Sequence, residues 1–254
     1  HQTGGVFLGR DYNKSRNFSD IVAHEIDEEM RNFKTVEFYA WEKLDYVDKI
    51  LEKGTSAQKK IVTALVTYGG YSQTYFASRF SSADLDEENP AYNILSKHGI
   101  GVPSLADVSA DDIQNVITTT EESAGIKYNG TEGYLDSAIY QRVYFVLNGD
   151  KSISDYIFEL TYPDVAGNTQ KMLLTPVKLG NEYYVDILDI PAAYLDHDYS
   201  ITVTNTRDNT TYTVTISVLG WIKNALNRFT NEKQLNMLKA MYLYNQAANE
   251  FFKK

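Results

Sequence analysis

The chain has 254 residues, 43% hydrophobic and 23% charged, with 15 Gly and 5 Pro, a composition that excludes collagen-like, coiled-coil and disordered classes. Its 24 Lys and Arg against 34 Asp and Glu leave a net charge of −10, the wrong sign for neutralising phosphates, so neither nucleic acid nor an anionic membrane surface is an expected partner. The absence of Cys, with only 4 His, removes disulfides, thiolate metal sites and thiol catalysis. No apolar run reaches the roughly 18 residues that cross a bilayer, so no membrane insertion is expected.

The sequence begins at His1, without Met and without an apolar leader, which reads as a processed product or a piece of something longer. Twenty Tyr, many Thr and Asn in strand-like runs, and the lack of thiols suit a protein exported to a place where no disulfide machinery is used. An extracellular or wall-attached location is therefore expected. The triplets Asn13-Lys-Ser15, Asn17-Phe-Ser19, Asn129-Gly-Thr131 and Asn209-Thr-Thr211 match the glycosylation pattern, but chance supplies such triplets in an Asn- and Thr-rich chain.

In chain order, Ile21 to Ile26 and Thr35 to Phe38 read as a β-hairpin, followed by a helix over Tyr46 to Leu51 that Gly54 stops. A second helix follows. Ile61, Ala64, Leu65, Tyr68, Tyr71, Ser72, Tyr75 and Phe76 fall on one face of a 3.6-residue period. Residues 81 to 88 form an acidic linker, Asn89 to Lys97 a short helix, and Ser109 to Val116 a second short helix with Ser109 as cap. From Gly125 the pattern changes to β-branched and aromatic runs: Gly125 to Asn129, Ala138 to Leu147, Tyr156 to Tyr162, Lys171 to Val177, Glu182 to Leu188, Ser200 to Thr206 and Thr211 to Val218. About seven short strands at this spacing predict an antiparallel sandwich of Ig-like type. Pro191 to Leu195 reads as a single helical turn crossing between its sheets. Trp221 to Leu226 and Met237 to Phe252 close the chain as a helical hairpin.

The final hairpin repeats the first. Ile201 to Thr206, Thr213 to Ile216, Trp221 to Leu226 and Met237 to Phe252 echo Ile21 to Ile26, Thr35 to Phe38, Tyr46 to Leu51 and Ile61 to Phe76 at an offset of roughly 180 residues. In the second copy Met237, Ala240, Met241, Tyr244, Ala247, Ala248, Phe251 and Phe252 occupy the places of the first stripe. The expected fold is thus α+β: an Ig-like β-sandwich (about 121 to 218) followed by a two-helix hairpin (about 219 to 254), forming one complete unit over 101 to 254. A partial copy, β-hairpin plus helix pair, precedes it over 1 to 80, with residues 81 to 100 as linker and short helix. Cutting after Ser81 is expected to leave 101 to 254 folded.

Three segments carry a family resemblance: Lys239-Ala-Met-Tyr-Leu-Tyr-Asn-Gln-Ala-Ala-Asn-Glu-Phe-Phe252, its relative from Ala64 to Phe76, and Ile187-Leu-Asp-Ile-Pro-Ala-Ala-Tyr-Leu-Asp196. They resemble modules repeated in large secreted or wall-attached surface proteins of Gram-positive gut anaerobes. The resemblance implies an extracellular module of unassigned activity within a multidomain surface protein, and it carries over no functional residue.

Candidate chemistry is sparse. His24-Glu25-Ile-Asp-Glu28 approaches a zinc-peptidase motif but has Glu28 where the second His ligand is needed, and its repeat partner, Ile201 to Thr206, alternates as a strand and carries no His. Carboxylate pairs such as Asp111 with Asp112, or Asp196 with Asp198, read as solvated surface, because glycosidase chemistry needs two carboxyls fixed across a cleft. No phosphate loop, Walker pattern or Gly-x-Ser-x-Gly elbow occurs. Asp84, Asp86 and Glu88 cluster hard oxygen ligands and are the candidate calcium site, without the spacing of an EF-hand loop. On the run Ala138 to Leu147, Tyr140, Arg142 and Tyr144 share one face, which the charge of Arg142 marks as the wet one. Tyr183 is expected to join Tyr140 and Tyr144 as a ligand-binding patch. The expected function is a non-catalytic module for adhesion, binding or spacing, with a glycan or a host or cell-surface protein as partner. Carbohydrate binding through exposed Tyr and Trp is the alternative, and carboxylate hydrolysis the second.

Overall fold

The computed structural model describes residues 43–79, 88–121, 124–135, 139–149, 151–164 and 167–252. The predicted hairpin Ile21 to Phe38, the motif at His24, and Asp84 and Asp86 lie outside them.

Two helices, α1 (Lys43–Lys53) and α2 (Ser56–Arg79), begin the described chain. The stop predicted at Gly54 has a steric cause: its N–H donates to the Ile50 carbonyl at 2.8 Å, and a Cβ there would lie 2.6 Å from that same oxygen. Thr55 then caps α2. Its Oγ1 accepts from the Gln58 N–H at 3.3 Å while its own N–H donates to Gln58 Oε1 at 2.8 Å, a reciprocal capping box. The Asn89 to Lys97 segment is a 3-10 helix, Ala91–His98. It lies so close on α2 that a Cβ at Gly70 would meet the Tyr92 ring at 2.2 Å. The predicted second short helix shrinks to one 3-10 turn, Ala110–Asp112.

Nine strands follow among the described residues: β1 (Thr118–Thr119), β2 (Ile126–Leu135), β3 (Ile139–Leu147), β4 (Tyr156–Pro163), β5 (Thr169–Leu174), β6 (Val177–Leu179), β7 (Glu182–Ile187), β8 (Tyr199–Asn205) and β9 (Thr211–Ile216). They form two sheets, ordered β1-β9-β8-β4-β5 and β2-β3-β7-β6, with every pairing antiparallel. The α+β class and the antiparallel sheets are thus as the sequence predicts. Three strand assignments differ. β1 lies in none of the predicted runs. β2 runs six residues past the predicted end at Asn129, because pairing with β3 absorbs Gly130 and Gly133 after a register shift between Tyr128 and Gly130. The run Lys171 to Val177 divides at Thr175-Pro176 into β5 and β6, which belong to different sheets. Proline has no N–H for a ladder.

The sheets meet through alternating inward residues. Val143, Phe145, Val185 and Ile187 oppose Phe158, Leu160, Ile201, Val203 and Val214, all buried, and the Phe145 and Phe158 rings touch edge to face at 5.2 Å. The expected single turn is the 3-10 helix Ala192–Tyr194, after Pro191, carrying the chain from β7 in one sheet to β8 in the other. Helices α3 (Val218–Arg228) and α4 (Glu232–Phe252) end the chain, with Ser217 Oγ capping α3 at the Gly220 N–H, 3.0 Å away. The two predicted helix stripes are core: Tyr68 of α2 and Tyr244 of α4, both fully buried, stack at 5.9 Å with 13° between planes.

Candidate functional site

On β3 the odd residues Ile139, Gln141, Val143 and Phe145 are buried and the even ones half-buried, so Tyr140, Arg142 and Tyr144 occupy the outer face of the four-stranded sheet. Register decides their neighbours. Arg142 lies between Glu132 on β2 and Asp186 on β7, Tyr140 is opposite Tyr134, and Tyr144 lies between Gly130 and Tyr184.

Arg142 organises this face. Its Nε donates to Asp186 Oδ1 at 2.8 Å and its Nη2 to Asp186 Oδ2 at 2.9 Å, the planar two-point fork that only guanidinium forms with a carboxylate. The guanidinium carbon sits 3.8 Å from the Tyr184 ring centre and 4.7 Å from that of Tyr134, a cation–π arrangement. Tyr134 also stacks on Tyr140 at 4.9 Å with only 7° between planes. Beside them the Tyr134 and Tyr144 hydroxyls converge on Glu132 Oε2, at 3.0 and 2.8 Å.

The electrostatics follow from this packing. Hydrogen bonding to Asp186 raises the Arg142 pKa above its already high ordinary value. Desolvation raises the Tyr144 pKa, helped by its hydrogen bonds to Tyr134 and Glu132 and by the negative charge of Glu132. Tyr144 therefore stays a neutral donor and Arg142 a fixed cation throughout the physiological range. At least one face of each of Tyr134, Tyr140 and Tyr184 is covered by a neighbouring ring or by the guanidinium, so the surface offers ring edges, hydroxyls and one carboxylate.

Of the residues singled out in the sequence, Tyr140 and Tyr144 stand together on this face. Tyr183 does not join them. It pairs with Phe145, and because side chains alternate along a strand it points to the opposite side of the sheet. Tyr184 takes the expected place. Two adjacent tyrosines on one strand cannot be told apart by pattern until the partner strand sets the register. Tyr134 and Glu132 escape sequence reading for a different reason: they flank Gly133, just after Gly130, in a stretch that reads as a turn. A period of two from Glu132 to Tyr134 was the available signal.

Among the candidate calcium ligands, Glu88 is exposed, and Asp84 and Asp86 lie outside the described residues. Among the described residues no three His, Asp or Glu side chains are grouped to hold a metal, and no helix is long and apolar enough to cross a membrane.

Over 104 residues, 38% of this chain, the sequence is 30% identical to the ATP-dependent zinc metalloprotease FtsH of Bacillus subtilis (strain 168), and the match spans 16% of that protein's length. No protein-family profile matches the chain, and no solved structure matches it.

Proposed function

We propose that the chain is a non-catalytic binding module of an extracellular or wall-attached surface protein, and that it takes a protein partner on the outer face of the four-stranded sheet. The observation that carries this reading is Arg142, fixed by Asp186 and enclosed by Tyr134 and Tyr184. Tyr and Arg are the residues that anchor protein interfaces, and side chains already held by neighbours lose little entropy when a partner docks. In this reading the two sheets are an Ig-like sandwich, and the hairpins α1–α2 and α3–α4 are two copies of one unit, the first of them partial. Their matching buried stripes support the repeat. Twenty Tyr without a single Cys support an exported protein.

The likeness to FtsH brings no protease activity into this proposal. An ATP-dependent zinc peptidase needs a phosphate loop and a second metal-binding His, and neither Gly-x-x-x-x-Gly-Lys nor His-Glu-x-x-His occurs in the 254 residues. A glycan is the second reading, supported by the Tyr134 and Tyr144 hydroxyls converging on the Glu132 carboxylate, groups suited to bonding sugar hydroxyls. The test is binding of the full chain and its Arg142→Ala variant to arrays of extracellular proteins and of mucin, plant and cell-wall glycans. Protein binding lost in the variant supports the first reading, and glycan binding lost in the variant supports the second. Binding that is indifferent to Arg142 overturns both.

A further inference from the structure

We infer that the groove between β2 and α3 receives an extended peptide, which adds as a strand to the free edge of β2 and places an acidic side chain at Arg228. Among the described residues β2 is the edge strand of its sheet, so one side of it carries main-chain groups with no ladder partner among them. A cleft of about 870 Å³ runs along that side, walled by consecutive residues 128 to 134 of β2.

The facing wall is a single helix face. Trp221, Asn224, Ala225 and Arg228 line the cleft at positions i, i+3, i+4 and i+7 of α3, with Tyr75, Phe76 and Met237 closing it from α2 and α4. An open strand edge opposite a helix face is the geometry in which peptides bind by strand addition: main-chain hydrogen bonds supply affinity and alternate side chains supply selectivity. The Tyr128 N–H is already taken by the Tyr212 hydroxyl at 3.2 Å. This leaves Asn129 to Tyr134, roughly 17 Å of edge, for the incoming strand. Trp221 packs directly on Gly133, so close that a Cβ there would meet its ring at 2.6 Å.

Charge selects the occupant. Two side chains that are charged at neutral pH line the groove, Glu132 and Arg228. The Glu132 carboxylate is held by two tyrosine hydroxyls. Arg228 is exposed and has no acidic partner among the described residues. In a chain of net charge −10, an uncompensated cation at the groove wall directs an acidic peptide to this place rather than elsewhere on the surface. Glu132 and Tyr134 line the groove and also belong to the Tyr/Arg face, but Arg228, which selects the occupant, takes no part in that face.

The experiment is selection of a displayed library of random nine-residue peptides on the full chain, followed by measurement of one enriched synthetic peptide. The enriched peptides are expected to alternate apolar residues and to share an Asp or Glu. Arg228→Glu is expected to weaken binding at least tenfold, while Arg228→Lys retains it. Amide hydrogen exchange is expected to slow between Asn129 and Tyr134 when peptide is bound. Peptides that bind Arg228→Glu equally well, or that leave these amides unchanged, overturn the inference. So does finding the amides that face away from β3 already protected in the free chain, which means that the chain itself fills the groove, and so does a selection that enriches nothing. Because the two tests read different side chains, Arg228 here and Arg142 in the array, a failure here leaves the array test of the sheet face standing, and the reverse.

Discussion

Arg142 and Asp186 face one another across the β3–β7 ladder and are joined by two near-parallel hydrogen bonds of 2.8 and 2.9 Å. Their side chains are only 19% and 24% exposed, so each is partly desolvated and each depends on the other. Arg142→Ala leaves the Asp186 charge without its partner and uncovers the Tyr184 ring. A loss of about 1–3 kcal/mol is expected, read from the urea midpoint at constant m-value. Arg142→Lys keeps the charge but not the fork or the flat stacking surface, and roughly half of that loss is expected. A lysine variant as stable as the parent shows that planarity contributes nothing.

Alkaline pH is expected to unfold the protein earlier than its carboxylates and lysines imply. Burial pushes the Tyr128 hydroxyl up to about 12 from its ordinary 10.0, with the neighbouring Tyr212 adding to the effect. Desolvation raises Tyr199 in the same direction. A folded-state pKa above the unfolded one gives stability that is complete below the unfolded value and is lost as pH rises through the folded value. Stability is therefore expected to be level below about pH 10 and to fall steeply from there towards about pH 12. Tyrosinate absorbance during alkaline titration, compared with Tyr128→Phe, checks this: the variant loses part of the slope, and an unchanged slope refutes the assignment.

The stack of Tyr68 on Tyr244 ties α2 to α4 across the two sheets that separate them in sequence. Tyr244→Ala in the full chain is expected to cost about 3–5 kcal/mol, the range for truncating a large buried aromatic side chain. A fragment of residues 101 to 254 bares the α4 face that receives Tyr68, and it is expected to melt well below the full chain by calorimetry. Equal melting temperatures show that the α2–α4 contact contributes little.

β5 is an edge strand that presents Leu173 at 69% and Met172 at 47% exposure. Its Lys171 is paired with Glu159 at 2.6 Å, so the charge that commonly protects such an edge is offset. Leu173→Lys is expected to lower concentration-dependent association in sedimentation or light scattering, with little effect on the denaturation midpoint because the side chain is mostly in water. Association that persists in the variant locates the contact elsewhere.

Much of the architecture is legible before any coordinates. The periods at Ile61 to Phe76 and Met237 to Phe252 marked two helices and the faces that they bury, since a 3.6-residue repeat of apolar side chains has one way to leave water. Gly54 as a helix stop and Pro191 before a single turn are local backbone effects, written in single residues. The even positions of β3 as its wet side followed from the charge of Arg142 alone.

What the residue order determined by itself is therefore local: element type, helix faces, the stop and cap residues, and the absence of thiols and of nucleotide or zinc motifs. What only the tertiary structure decided is which strands meet and in what register. Tyr184 rather than Tyr183 joins Tyr144 because β7 pairs with β3 at Phe145↔Tyr183. Glu132 and Tyr134 belong to a strand because β3 pairs with Gly130 and Gly133 despite their weak strand preference. α2 meets α4 because their buried faces pack, with Tyr68 stacked on Tyr244. Each of these depends on contacts between segments distant in sequence, and because strand side chains alternate, a shift of one residue in pairing moves a side chain from one face of the sheet to the other.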